Sequence, residues 1–89
     1  MKKTDFNRIV NIGINRGKEY LVVKILTDGN PAPEIIINRS VNFKAKTNYY
    51  NKAYNADIEL IKTKKSGKRV RIEDVLLTSN LNDLSWFAY

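Results

Sequence analysis

Six cationic side chains lie within ten residues, a density that suits contact with phosphate groups. They are Lys62, Lys64, Lys65, Lys68, Arg69 and Arg71. Like charges that face one another across a hairpin are mildly destabilising, so folding alone gives no reason for this cluster. The structural alternative is a solubilising loop tip, or an edge strand protected by lysines. The chemistry that the cluster predicts is binding to the phosphates of a nucleic acid.

The positive charge of the chain is concentrated in one segment. The 89 residues carry a net charge of +7, from 16 Lys and Arg against 9 Asp and Glu. Ten of the cations lie between Arg39 and Arg71, where only Asp57 and Glu59 oppose them, so this segment carries +8. A local excess of this size attracts a polyanion, either a nucleic acid or an acidic protein surface.

Tyrosines accompany the cations in this segment. An exposed aromatic ring beside a cation can stack on a nucleobase, a contact worth about 1–3 kcal/mol per base. The alternative is that the tyrosine rings belong to the core. We assign Phe6, Phe43, Trp86 and Phe87 to the core. The predicted nucleic-acid-binding residues are Arg16, Lys18, Lys44, Lys46, Tyr49, Tyr50, Tyr54, Lys62, Lys64, Lys65, Lys68, Arg69 and Arg71.

Catalysis is not expected from this composition. The chain has no histidine and no cysteine, which removes the commonest general base and excludes a thiolate metal site or a disulfide. Asp57 and Glu59 would share a strand face and so form a weak candidate for Mg²⁺, but charge balance with Arg69 and Arg71 explains them equally well. We therefore predict no enzyme activity, no metal and no cofactor.

The length and the hydropathy pattern predict one domain, residues 1–89, in the cytoplasm. The charged start has no apolar stretch behind it, as a secretory signal would have, and the longest apolar runs are too short to span a bilayer. We expect no membrane partner. The oligomeric state is left open and includes a homodimer.

Alternating apolar residues and β-branched residues predict five strands. These are 8–15, 19–27, 34–39, 57–63 and 69–77. Gly13 within the first strand indicates a bulge or bend, and Gly17 a turn with positive φ. The last two strands would form a hairpin, with either Leu60 or Ile61 opposite Ile72.

Two other segments have helical features. Residues 40–55 fit a helix, with Phe43, Thr47, Tyr50 and Tyr54 on one face, and fit a strand equally well. At the end of the chain, Asn80 is a candidate cap for a short C-terminal helix.

The predicted fold is therefore a β-rich α+β fold with a five-stranded antiparallel sheet or barrel. One helix or irregular insertion lies between the third and fourth strands, and a short helix follows the fifth. This order of elements resembles the OB-fold, and the alternative is an SH3-like barrel. The resemblance rests on topology and not on a sequence motif. The resemblance implies that residues 15–18 and 64–68 form the two loops that bind an oligonucleotide.

These observations predict a non-catalytic protein that binds single-stranded DNA or RNA with little sequence specificity. A basic hairpin would hold the phosphates, and exposed tyrosines would stack on the bases. The alternative is a small protein-binding module or inhibitor. Its basic face would dock on an acidic partner, such as a nucleic-acid-processing enzyme.

Overall fold

The computed structural model of the chain describes residues 1–63 and 67–88. It contains three strands and three α-helices, with short 3₁₀ turns at Ser40–Asn42, Ile61–Thr63 and Leu81–Asp83. In chain order the elements are α1 (Lys3–Asn15), β1 (Tyr20–Thr27), β2 (Glu34–Arg39), α2 (Phe43–Ala53), β3 (Val70–Thr78) and α3 (Leu84–Phe87). None of the described helices is long and apolar enough to cross a membrane.

The three strands form an open antiparallel sheet with the order β2-β1-β3. In the central strand, Val23 lies opposite Ile36 on one side and Val75 on the other. The prediction of a five-stranded sheet or barrel is wrong, because two of the five predicted strands are not strands. The OB-fold resemblance and the SH3-like alternative are wrong with it, since an open sheet of three strands encloses no barrel.

The segment 8–15, predicted as the first strand, belongs to helix α1. Phe6, Val10 and Gly13 are buried at helical spacing, whereas Ile12 and Ile14 remain 41% and 42% exposed. The buried residues therefore follow the helical period, which becomes visible once Phe6, before the predicted strand, is included. Gly13 is not a strand bend: it lies against Leu77 of β3, where α1 packs on the sheet.

The segment 57–63, predicted as the fourth strand, makes only isolated bridges. The Asn55 side chain accepts hydrogen bonds from the backbone N–H groups of Asp57 and Glu59, at 2.9 and 3.1 Å. Ile58 has a φ of 55°, which turns the chain out of the extended conformation. Glu59 then bridges to Arg71, and Ile61 begins a 3₁₀ turn. Neither predicted hairpin register forms.

The other predicted elements are confirmed. β1, β2 and β3 occupy the segments 19–27, 34–39 and 69–77 within one residue at either end. Residues 43–53 form a helix, which is one of the two conformations predicted for residues 40–55. Asn80 caps the C-terminal turn by accepting a hydrogen bond from the backbone N–H of Asn82 at 3.0 Å.

The two faces of the sheet are covered unequally. One face packs against α1 and α2 around a core of buried side chains that includes Leu21, Val23 and Ile25 of β1. On the other face Val22 is fully buried, and the Lys24 ammonium lies 5.9 Å from the ring centroid of the buried Phe87 in α3. Phe6, Phe43 and Phe87 are core residues as predicted.

Trp86 is the exception among the predicted core aromatics. It is 59% exposed. Its ring packs edge-on against Phe87, with the ring centroids 6.0 Å apart. The C-terminal helix is only four residues long and buries one of these two neighbouring rings, so the prediction that Trp86 lies in the core is wrong.

Candidate functional site

Helix α2 presents its apolar side to the core and a basic side to solvent. Phe43 and Tyr50 are buried on the first side, and Tyr54 is buried directly after the helix. The helix is anchored at its start, where the Ser40 N–H donates to Glu19 O at 2.9 Å. The exposed side carries a set of residues that we call the α2 basic surface: Lys44, Lys46, Asn48, Tyr49 and Lys52.

The α2 basic surface consists of two rows that lie on different parts of the helix circumference. Lys44, Asn48 and Lys52 follow one another at intervals of four residues and so lie along one line of the helix. At a rise of 1.5 Å per residue, this line is about 12 Å long. In the second row the Lys46 ammonium lies 6.0 Å from the ring centroid of Tyr49, which is 52% exposed.

No acidic side chain belongs to this helix. α2 has no Asp or Glu in its sequence, and the side chain of Asn42 does not cap its first turn. Within the described parts of the chain, no carboxylate lies within 4.0 Å of the amino groups of Lys44, Lys46 or Lys52. The positive end of the helix dipole adds to this field at the N-terminus. The α2 basic surface is therefore positive along its length.

The two arginines of the predicted basic hairpin, unlike the lysines of α2, lie close to carboxylates. Arg69 Nε lies 3.7 Å from Glu59 Oε2, and Arg71 Nη1 lies 3.5 Å from Asp28 Oδ1. Both arginines and Asp28 are exposed and Glu59 is half-buried, so the pairs add little stability, but they partly neutralise both guanidinium groups. Lys62 and Lys68 are exposed. Lys64 and Lys65, the other two predicted phosphate ligands of this hairpin, lie outside the described residues.

Two of the three tyrosines predicted to stack on bases are core residues. Tyr50 and Tyr54 are each 3% exposed, and Tyr50 packs edge-on against Phe6 with the ring centroids 5.6 Å apart. Burial raises the pKa of Tyr50, and it raises the pKa of Tyr54 to about 12. The stacking role predicted for these two rings is wrong. Tyr49 alone of the three presents a ring to solvent.

The predicted pair of loops, 15–18 and 64–68, does not arise from a barrel. Arg16 is exposed at the C-terminal end of α1, and Gly17 has the predicted positive φ, at 70°. Lys18 follows and lines a cleft together with Lys44. The structure therefore brings Lys18 to the start of α2, an association that the barrel did not predict.

This cleft lies between the antiparallel helices α1 and α2. Near one end of the helix pair, Asn7 and Asn51 exchange two side-chain hydrogen bonds of 2.9 Å. Towards the other end an open cleft with a volume of about 550 Å³ lies between the helices. Its lining consists of Asn11, Ile14, Gly17, Lys18, Glu19, Ser40, Phe43, Lys44, Thr47 and Asn48. Thr47 Oγ1 is buried there without a hydrogen-bond partner among the described residues.

The sequence prediction missed Lys52, Asn48 and the cleft. The signal for the first two was present, because the helical interpretation of 40–55 that buries Phe43 and Tyr50 places Lys44, Asn48 and Lys52 on the outward side. The cleft depends on how two helices pack, which no local pattern indicates.

In the described ranges, no three potential ligands among His, Cys, Asp and Glu are grouped as a metal site would require.

Comparison with known proteins assigns no relative. No protein-family model, no curated protein and no solved structure matches this chain.

Proposed function

We propose that this protein is a non-catalytic nucleic-acid-binding protein that holds phosphate groups on the α2 basic surface. One observation carries the proposal. Three lysines lie on the exposed part of α2, a helix that contains no acidic residue, and none of them has an ion pair within the described residues. By contrast, Arg69 and Arg71 already face carboxylates.

The physical argument concerns the missing counter-charge. The three cations of α2 form no ion pair within the described residues, so charge pairing adds nothing to the stability of the helix. A polyanion supplies the counter-charge, and binding then releases the ions condensed on it. Three phosphate contacts predict that log K falls against log salt with a slope of roughly −2 to −3. The proposed location is the cytoplasm, as predicted from the sequence.

Recognition through phosphates carries little sequence information. Lysine is a flexible point charge, without the fixed fork that arginine uses to read guanine. Tyr49 adds one stacking surface beside Lys46. The basic surface therefore favours binding with low sequence specificity.

The test is a fluorescence-anisotropy titration with a labelled oligothymidylate of about ten nucleotides, a length within the usual range of site sizes. It is repeated from about 50 to about 200 mM salt, because the slope counts the phosphates contacted. We expect saturable binding with the slope given above. Absence of binding at the lowest salt concentration overturns the proposal and favours an acidic protein as the partner of the same surface.

A further inference from the structure

We propose that the cleft between α1 and α2 receives one unpaired base of the strand whose phosphates lie on the α2 basic surface. The inference rests on the proposed function and deepens it, because it makes single-stranded nucleic acid the preferred partner. Its support comes from the shape of the cleft, its free polar groups and the position of its charges.

The volume of the cleft is in the range of small-molecule sites. A volume of about 550 Å³ lies within the range of roughly 300–1,000 Å³ that is typical of ligand pockets. Phe43 and Ile14 supply apolar lining, and Ile14 is 42% exposed although it belongs to a helix that packs on the core. A planar base would cover the exposed part of Ile14, which otherwise faces water.

The polar groups of the cleft are free to bind. Thr47 Oγ1 is buried without a partner, a condition that costs about 1–3 kcal/mol for a polar group. The side chains of Asn11 and Asn48 also line the cleft, and neither makes a side-chain hydrogen bond within the described residues. A carboxamide offers both donors and an acceptor, so it can pair with the edge of any base.

The charges orient the occupant. Lys44 and Asn48 belong both to the cleft and to the α2 basic surface, so the two sites are continuous. Lys18 contributes a second cation on the other side of the opening. Glu19 is the one acidic residue among those that line the cleft, and it repels a phosphate. The phosphate therefore stays on the α2 side, while the neutral base enters.

The experiment compares two labelled oligonucleotides of about ten nucleotides, an oligothymidylate and an oligomer made only of abasic sites. Both carry the same phosphates, so the α2 basic surface should give both the same salt slope. A base held in the cleft should make the oligothymidylate bind about 5-fold to 100-fold more tightly. Equal affinities overturn the base-binding cleft and leave the proposed function in place. Failure of both to bind overturns the proposed function, and the cleft inference with it.

Two substitutions test whether the base binds in the cleft. Asn11→Trp fills the cleft from α1, and its matched control is Asn15→Trp, at an exposed position that does not line the cleft. We expect Asn11→Trp to reduce the advantage of the oligothymidylate to the part that the Tyr49 ring supplies, without changing the affinity for the abasic oligomer, and Asn15→Trp to change neither. If the full advantage survives Asn11→Trp in a protein that melts as the wild type does, the base is bound elsewhere and the inference is wrong.

Thr47→Val tests the unpartnered hydroxyl with almost no change of shape. It should reduce the oligothymidylate advantage about 3-fold to 10-fold while leaving thermal stability equal or higher, since a buried unpaired group is removed. An unchanged advantage in this variant contradicts a contact between Thr47 Oγ1 and the base.

Discussion

Asn7 of α1 and Asn51 of α2 hold their helices together by a reciprocal pair of amide hydrogen bonds, each 2.9 Å long. The Asn51 amide also donates to Thr47 O at 2.8 Å, which fixes its orientation. Beyond this pair the two helices leave room for the cleft. At this point the two helices are therefore joined by polar side chains as well as by apolar packing.

The asparagine pair should be energetically coupled. Asn7→Ala and Asn51→Ala should each lower the free energy of unfolding by about 1 kcal/mol, because each removes the two hydrogen bonds between the side chains. The double variant should cost less than the sum of the two, with a coupling energy of about 0.5–1 kcal/mol. Urea denaturation of the four proteins measures this cycle. Additive losses would show that the hydrogen bonds contribute nothing.

Gly13 allows α1 to approach β3 closely. A Cβ atom at this position would lie 2.7 Å from Leu77 Cγ, which is well inside van der Waals contact. Gly13→Ala should therefore destabilise the protein by about 1–3 kcal/mol, even though alanine is intrinsically the better helix former by about 1 kcal/mol. Asn15→Ala at the exposed end of α1 is the matched control and should change stability by less than about 0.5 kcal/mol. A gain in stability from Gly13→Ala would contradict the close packing.

The same glycine shows why part of the fold could not be predicted from the sequence. Val10, Ile12 and Ile14 alternate with polar residues, so the segment fits a strand, and a glycine inside a strand indicates a bend. The helix also fits, through Phe6, Val10 and Gly13, but Gly13 qualifies as a buried position only once the sheet beneath it is known. Local periodicity could not choose between the two.

The strands that are rich in β-branched residues were predictable, and the segment after α2 was not. Ile58 and Leu60 alternate with acidic residues as in a strand. However, the side chain of Asn55 accepts hydrogen bonds from the backbone N–H groups of Asp57 and Glu59, which a strand would use for pairing. The positive φ of Ile58 has no sequence signal, since β-branched residues rarely adopt it. Of the predicted binding residues, Lys44, Lys46 and Tyr49 are exposed, and their binding role stays a prediction. Tyr50 and Tyr54 are buried, at positions that the helical period directs towards the core.

Tyr54 should make stability depend on pH in the alkaline range. Burial raises the pKa of its hydroxyl from about 10 to about 12, so the folded state keeps the proton after the unfolded state has lost it. The contribution of the neutral hydroxyl is complete below pH 10 and is lost as the pH rises towards 12. Urea midpoints of the wild type and of Tyr54→Phe, measured across this range, isolate the effect from the lysines. The midpoint should fall less steeply in Tyr54→Phe, and parallel curves would contradict the shifted pKa.

The neighbouring aromatics of α3 should differ sharply in their effect on stability. Phe87 is 3% exposed and covers the second face of the sheet, so Phe87→Ala should cost about 3 kcal/mol. Trp86 is 59% exposed, and Trp86→Ala should cost less than about 1 kcal/mol. Thermal unfolding followed by circular dichroism makes the comparison. Tryptophan fluorescence would not serve, because Trp86 is the single tryptophan of the chain and one variant removes it. Similar losses would show that α3 does not pack as described.

The central claim is that the α2 basic surface, and not net charge alone, binds nucleic acid. Two triple variants separate these explanations, because each lowers the net charge from +7 to +4. One replaces Lys44, Lys46 and Lys52 with alanine, and the other replaces Arg16, Lys62 and Lys68. All six side chains are exposed and have no ion pair within the described residues.

The deciding measurement is the salt dependence of oligothymidylate affinity for the wild type and the two variants. The α2 variant should lose about two units of slope and most of its affinity at low salt, because its three phosphate contacts are gone. The other variant should keep the wild-type slope with only a modest loss of affinity. Equal losses in both variants, with both proteins folded, would contradict a binding site on α2.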